Sequence, residues 1–175
     1  MALYQKLNCP NYSIINEEIL QWVESLNIID NSNVFWNPVD LKEMYKNCPK
    51  FFKWAATENF KIKSISLTVG KNPYCCGPHT DTPPKKYSIS WPIKNTRRTW
   101  NTWYRPLVDN PSVMINDIGG TAYTDRSQLE IIERKELLEP ILLDVTVIHD
   151  VWCEESAQFP RLGLQCQLFN ENAHL

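Results

Sequence analysis

RLGLQCQLF, residues 161–169, alternates along its length: Leu162, Leu164, Cys166 and Leu168 share one face, and Arg161, Gly163, Gln165 and Gln167 share the other. Successive side chains of a strand point to opposite sides of the pleat, so this pattern predicts a strand with one face on a core. The polar face opens with an arginine. Arginine is almost never fully buried unless paired, so Arg161 turned into a sheet interior calls for a ligand carboxylate or an internal acid.

Upstream lies VTVIHDVW, residues 145–152, which places Val145, Val147, His149 and Val151 on one face of a second predicted strand. A hairpin across the intervening WCEESAQFP would turn His149 and Arg161 toward one interior. Further strands are predicted over KIKSISLTV (61–69), residues 86–93, TWNTWYR (99–105), SQLEIIER (127–134) and EPILLD (139–144), with Pro, Gly, Asn and Asp in the gaps. In the first of these, Ile65, Leu67 and Val69 oppose Ser64, Ser66 and Thr68.

Ahead of residue 61 the period is helical. NEEILQWVESL (16–26) carries an Asn cap, two early acids and a stripe of Ile19, Leu20, Val23 and Leu26. Residues 37–48 offer Asn37 as cap and Pro38 at the first helical position, and PKFFKWAA (49–56) reads as a short helix or turn. Many short strands behind a helical front predict a β-sandwich or barrel with helices packed outside.

At 175 residues the chain suits a single domain over 1–175 with a real core. A formal net charge of −2 and two short basic pairs, Lys85-Lys86 and Arg97-Arg98, make nucleic acid an unlikely partner on charge grounds. MALYQKLNCPNYS lacks the basic and long apolar segments of a signal peptide, and no apolar run reaches membrane-spanning length. The expectation is a cytoplasmic location with no membrane association, and six cysteines held as free thiols. Oligomeric state leaves no mark on the sequence.

One segment joins these elements to chemistry. In HTDTPPKKYSISWPI, residues 79–93, His79 and Asp81 stand two apart, so an extended backbone aims both at one point. With a distant His149 they form a two-histidine, one-carboxylate set, which suits Fe(II) and leaves coordination positions open. Asp150 follows His149 directly and points to the opposite face, which excludes it.

In its order of His79, Asp81, distal His149 and then Arg161, the chain resembles the 2-oxoglutarate and Fe(II)-dependent oxygenases, which share a double-stranded β-helix (jelly-roll) fold. Within that superfamily KKYSISWPIKNTRRTWNTWYR and DVTVIHDVWCEESAQFPRLGLQCQL are similar to aspartyl/asparaginyl β-hydroxylase-like and prolyl-hydroxylase-like proteins, including small bacteriophage ones. The resemblance covers residues 61–170 as the β-helix core, with 1–60 as a helical front. It implies that His79, Asp81 and His149 hold Fe(II). It also implies that Arg161 grips the far carboxylate of 2-oxoglutarate, aided by a hydroxyl from Thr68, Ser88 or Ser90, and that dioxygen takes the last open position. The implied activity is hydroxylation of an amino-acid or peptide side chain, or of a small molecule, with release of succinate and CO2.

Trp91, Trp100 and Tyr104 are the candidate substrate-pocket aromatics, with Trp103 and Trp152 beside them on the same strands. Residues 70–81 and 109–125, the latter with Gly119-Gly120, are candidate gating loops. The sequence departs from many relatives after Arg161, where Leu-Gly stands in place of a small hydroxylated residue two positions on. Two other readings stay open: a jelly-roll zinc protein using Cys75, Cys76 or Cys153 with the histidines, and a diacid-binding module without turnover. His174, near the end, reads as solvated.

Overall fold

A computed structural model describes residues 2–31, 35–73, 76–81, 85–115 and 120–169. Strand β1 (Tyr4–Lys6) precedes helix α1 (Tyr12–Ser25), which starts before the predicted Asn16. Asn16 does not cap it. Its side chain instead ties the helix to the sheet, donating to the Ile93 carbonyl at 2.8 Å and accepting from Trp91 Nε1 at 3.1 Å. The buried stripe of α1 is Ile15, Ile19, Trp22 and Val23. A short helix α2 (Ile28–Asn31) follows.

The Asn37-Pro38 start signal also fails, because Trp36–Pro38 forms strand β2 against β3 (Ile62–Gly70). Proline tolerates this edge position, since no neighbour there needs its missing N–H. Asp40 is the cap instead, its carboxylate accepting from Lys42 N at 2.8 Å and Glu43 N at 3.2 Å to open α3 (Leu41–Asn47). Helix α4 (Pro49–Thr57) begins at its proline and buries Phe51, Trp54 and Ala55.

The remaining strands are β4 (Cys76–Thr80), β5 (Tyr87–Lys94), β6 (Thr99–Pro106), β7 (Val113–Ile115), β8 (Thr121–Tyr123), β9 (Leu129–Glu136), β10 (Ile141–Asp144), β11 (His149–Cys153) and β12 (Arg161–Leu168). They form two antiparallel six-stranded sheets, ordered β1-β10-β5-β12-β3-β2 and β7-β8-β4-β11-β6-β9. The first is called the helix-backed sheet below, the second the outer sheet.

Two expectations need correction. Residues 145–148 are a turn rather than strand, because Asp144 Oδ1 captures Thr146 N at 2.9 Å and Thr146 Oγ1 at 2.6 Å and closes the backbone on itself. The strands β11 and β12 are not a hairpin either. β11 pairs with β4 and β6, while β12 lies between β3 and β5, so WCEESAQFP crosses from one sheet to the other. His149 and Arg161 therefore meet across the gap between sheets.

The helix-backed sheet carries the main core on its outer side. Ile65, Leu67, Ile89, Trp91, Leu164 and Cys166 pack there with Ile19, Val23, Met44, Phe51 and Trp54 from the helices. Its inner side bears Ser66, Thr68, Ser88, Ser90, Arg161 and Gln165. Part of the space between sheets is filled by Trp103, Leu137, Ile141, Leu143 and Val145. The rest is a cavity with both polar and apolar lining.

Both candidate gating segments contain strands. β4 occupies part of 70–81, and β7 with β8 occupies part of 109–125. Tyr74, Cys75, Gly119 and His174 lie outside the described residues. No helix among the described residues is long and apolar enough to cross a membrane.

Candidate metal centre and cosubstrate pocket

Pairing between β4 and β11 sets His79 directly opposite His149. The ladder then shifts by one residue, so that Cys76 rather than Gly77 faces Val151. Both histidines are buried, with ring centroids 4.5 Å apart. Asp81 follows the end of β4, held by its N–H on the Val145 carbonyl at 3.0 Å, and its Oδ1 lies 3.6 Å from His79 Nε2. One ligand atom from each of His79, Asp81 and His149 falls within 4.8 Å of the others.

The tautomers suit a metal. His79 Nδ1 lies 2.9 Å from the Gly77 carbonyl and His149 Nδ1 lies 2.9 Å from that of Val147. A carbonyl only accepts, so each Nδ1 carries the proton and each Nε2 offers its lone pair. Burial, and then the neighbouring His79, hold the His149 imidazole well below its ordinary titration range, which keeps it neutral.

Arg161 opens β12 on the inner face, 2% exposed. Its Nη1 approaches Thr68 Oγ1 at 3.4 Å, and that hydroxyl donates to the Gly163 carbonyl at 3.0 Å. Gly163 keeps the space beside them open: a Cβ there would stand 3.1 Å from Thr68 Oγ1 and 3.5 Å from Arg161 Nη2. Of the three candidate hydroxyls, Thr68 is at the arginine and Ser90 lines the cavity. Ser88 is committed elsewhere, donating to the Cys166 carbonyl at 2.9 Å and accepting from Gln165 Nε2 at 2.7 Å.

His79, Asp81, His149 and Arg161 line one cavity of about 270 Å³. A larger open depression of about 650 Å³ lies by Arg97, Arg98 and Ser156, away from all four. None of the candidate aromatics lines the cavity. Trp91 is fully buried on the helix side, edge-on to Phe51 and Trp54. Trp100 donates to Glu154 at 3.2 Å and Tyr104 donates to Asp150 at 2.8 Å, both on the far side of the outer sheet. Strand parity is the reason: His149 pairs with Trp103 and Val151 with Asn101, so odd-numbered residues of β6 face inward there.

The aromatics that do reach the cavity are Phe35 and Trp36, the latter edge-on to His79 with centroids 6.0 Å apart. Asn101 and Lys85 also line it and were not singled out from sequence. Asn101 is 2% exposed, and its Nδ2 has no hydrogen-bond partner. Lys85 Nζ lies 3.8 Å from Asp81 Oδ2.

Asp150 points away from the centre, as strand alternation requires. Its Oδ2 accepts from Tyr104 and from Arg126 Nη2, each at 2.8 Å. Cys76 lines the cavity but falls outside the ligand cluster, and burial pushes its thiol up to about 12. Cys153 Sγ sits 3.5 Å from Thr99 Oγ1, in a separate packing cluster with Ala157. The metal set among the described residues is thus two nitrogens and one carboxylate, with no thiolate.

No family model matches the sequence, and no curated protein sequence does. Solved structures do. The chain aligns over 95% of its length with 78% of the epimerase SnoN, solved in complex with Fe3+, alpha ketoglutarate and nogalamycin RO, at a TM-score of 0.55 and 12% identity. It aligns over 95% with 79% of SnoK, a non-heme alpha ketoglutarate dependent carbocyclase from nogalamycin biosynthesis, at 0.54 and 10%. With EvdMO1 the TM-score is 0.52 at 11% identity, covering 47% of that chain. The fold is a jelly roll of the cupin-like kind. The candidate centre lies between the two sheets, with His79 and His149 on the outer sheet, Asp81 at its margin and Arg161 on the helix-backed one.

Proposed function

We propose that this chain is an Fe(II)- and 2-oxoglutarate-dependent oxygenase, hydroxylating an amino-acid or peptide side chain or a small molecule. One observation carries the reading: His79, His149 and Asp81 converge on the same cavity that holds a buried Arg161. Two imidazoles and a carboxylate suit Fe(II), whereas a thiolate-rich zinc site would need a cysteine in the cluster, and among the described residues Cys76 lines the cavity without joining it.

The residues also fit the diacid. Arg161 presents a planar fork to a carboxylate, which can receive two parallel charge-assisted bonds in a dry pocket. Thr68 adds its oxygen alongside, and the missing side chain at Gly163 leaves the cradle unfilled. Asn101 Nδ2, buried and unpartnered, supplies a donor for an anion's oxygen in the same cavity.

The chemistry such a metal and cosubstrate supply is oxidative: decarboxylation of the diacid to succinate and CO2, with dioxygen giving an oxygen to a C–H bond. The chain's share is positioning and shielding. The Gly77 and Val147 carbonyls fix the two imidazoles, Arg161 and Thr68 fix the diacid, and Phe35 and Trp36 wall the cavity beside His79.

The test is anaerobic. Fe(II) followed by 2-oxoglutarate should produce a weak visible charge-transfer band, lost in His79→Ala. Binding of both without such a band, or retention of the metal in His79→Ala and Asp81→Ala, would refute the assignment.

A further inference from the structure

We infer that the substrate of this site is a small molecule, or the end of one, bearing a carboxylate that pairs with Lys85 while an apolar part rests on Phe35 and Trp36. The inference rests on the reading of the cavity as an iron and 2-oxoglutarate site, and it concerns the space those two leave.

Charge decides the class. The charged side chains lining the cavity, among the described residues, are Asp81, Lys85 and Arg161. Asp81 and the cosubstrate's near carboxylate answer the two charges of a divalent metal, so of the two side-chain cations one is left facing a pocket of low dielectric. Arg161 is consumed by the cosubstrate's far carboxylate. Lys85 is the cation left over. Its Nζ is 3.8 Å from Asp81 Oδ2, beyond hydrogen-bonding distance, and its side chain is only 23% exposed. A half-buried cation without a hydrogen-bonded counter-ion is stabilised by gaining an anion.

The rest of the lining agrees. Ser66, Gln165 and Gln167 line the helix-backed side, with Gln167 Oε1 already taken by Ser64 at 2.9 Å. Trp36 stands edge-on to Phe35 with centroids 4.9 Å apart, and the pair forms the aromatic wall beside His79. The space is small: a cavity of about 270 Å³ must hold cosubstrate and substrate together. Ligand sites usually run from roughly 300 Å³ upward. A lone ammonium with amide and hydroxyl neighbours, and no arginine fork to spare, matches a monoanionic carboxylate better than a phosphate.

The experiment uses the full chain loaded with Mn(II) and saturating 2-oxoglutarate. Three probes that share the phenyl group and differ in the charge of the head are compared: phenylacetate, phenylacetamide and phenethylamine. Proton relaxation of each probe by the paramagnetic ion reports binding near the metal, with no turnover required. Phenylacetate should bind about tenfold more tightly than the amide, the size of one charge-assisted contact. The amine should bind least. Lys85→Gln should erase the preference for the acid, while calorimetry shows unchanged 2-oxoglutarate affinity.

Equal relaxation of acid and amide, no relaxation of any probe, or an acid preference surviving Lys85→Gln would overturn the inference. So would phenylacetate relaxation seen only without 2-oxoglutarate, which marks binding at Arg161 instead. A protein that takes up neither Mn(II) nor 2-oxoglutarate refutes the reading beneath it, a separate result from the loss of acid preference.

Discussion

Gly163→Ala probes the cosubstrate cradle with a single carbon. The added Cβ would sit 3.1 Å from Thr68 Oγ1 and 3.1 Å from the Trp91 carbonyl oxygen. The carbonyl belongs to β5, which is laddered to β12 at this level, so it cannot retreat. Thr68 must give by a few tenths of an ångström, which stretches its 3.0 Å bond to the Gly163 carbonyl. Overpacking costs about 1–3 kcal/mol, and weakening that bond adds at most about 1 kcal/mol. Replacing a strand glycine returns about 0.5–1 kcal/mol of chain entropy. The net is a destabilisation of about 2 kcal/mol, or roughly 4–8 °C in Tm for a chain of this size. Displacing Thr68 from Arg161 should also weaken 2-oxoglutarate a few-fold, measured by calorimetry on the Mn(II) protein. Metal affinity should not change, because His79, Asp81 and His149 all lie on the other sheet or its margin. A variant with parental Tm and parental 2-oxoglutarate affinity would refute the cradle.

Arg161→Ala should lower 2-oxoglutarate affinity by about tenfold to a hundredfold while Mn(II) binding persists, and Thr68→Val should cost only a few-fold; calorimetry separates the two. Trp91→Phe removes the bond to Asn16 and some core volume, so urea denaturation should show about 2 kcal/mol of lost stability with unaltered 2-oxoglutarate affinity. A change in affinity without a change in stability would return Trp91 to the pocket. Burial pushes the Cys48 thiol up to about 12 and raises Cys166 further, so both stay protonated at mildly alkaline pH. Iodoacetamide should therefore spare them in the native protein and label them in denaturant, as read by peptide mass spectrometry.

How much of this was legible in sequence depends on whether the signal was local. Alternation in residues 161–168 and 62–70 is local, and it assigned both faces of β12 and β3 before any partner was known. The His79 and Asp81 geometry is local too. Pairing is not. Two neighbouring strands with matching apolar faces read as a hairpin, yet β11 and β12 belong to different sheets because the turn at Asp144 and the long link after Cys153 redirect the chain. Parity on β6 depends on its register against β11, so nothing in TWNTWYR tells Asn101 from Trp100. Trp91 is different. Ser90 and Trp91 are adjacent on a strand and must point to opposite faces, so a pocket claim for both contradicted itself. The helix starts failed through competition: Asn16 and Asn37 are good caps, but one is needed as a strut to β5 and the other lies in an edge strand.

The division of labour across the helix-backed sheet explains why its inner face can be so polar. A jelly roll that relied on the space between its sheets for stability would need apolar residues at Thr68, Ser90, Arg161 and Gln165. Here Trp91, Ile89, Leu67, Leu164 and Cys166, on the reverse of the same strands, bury themselves under α1, α3 and α4. At about 1.5–3 kcal/mol for each large side chain buried, that outer layer carries the hydrophobic stabilisation. The space between the sheets is then free to hold a buried arginine, an orphaned amide and two imidazoles close together. Substitutions on the outer face of β5 and β12 should therefore lower Tm with ligand affinity intact, whereas those on the inner face should lower ligand affinity whether or not Tm falls.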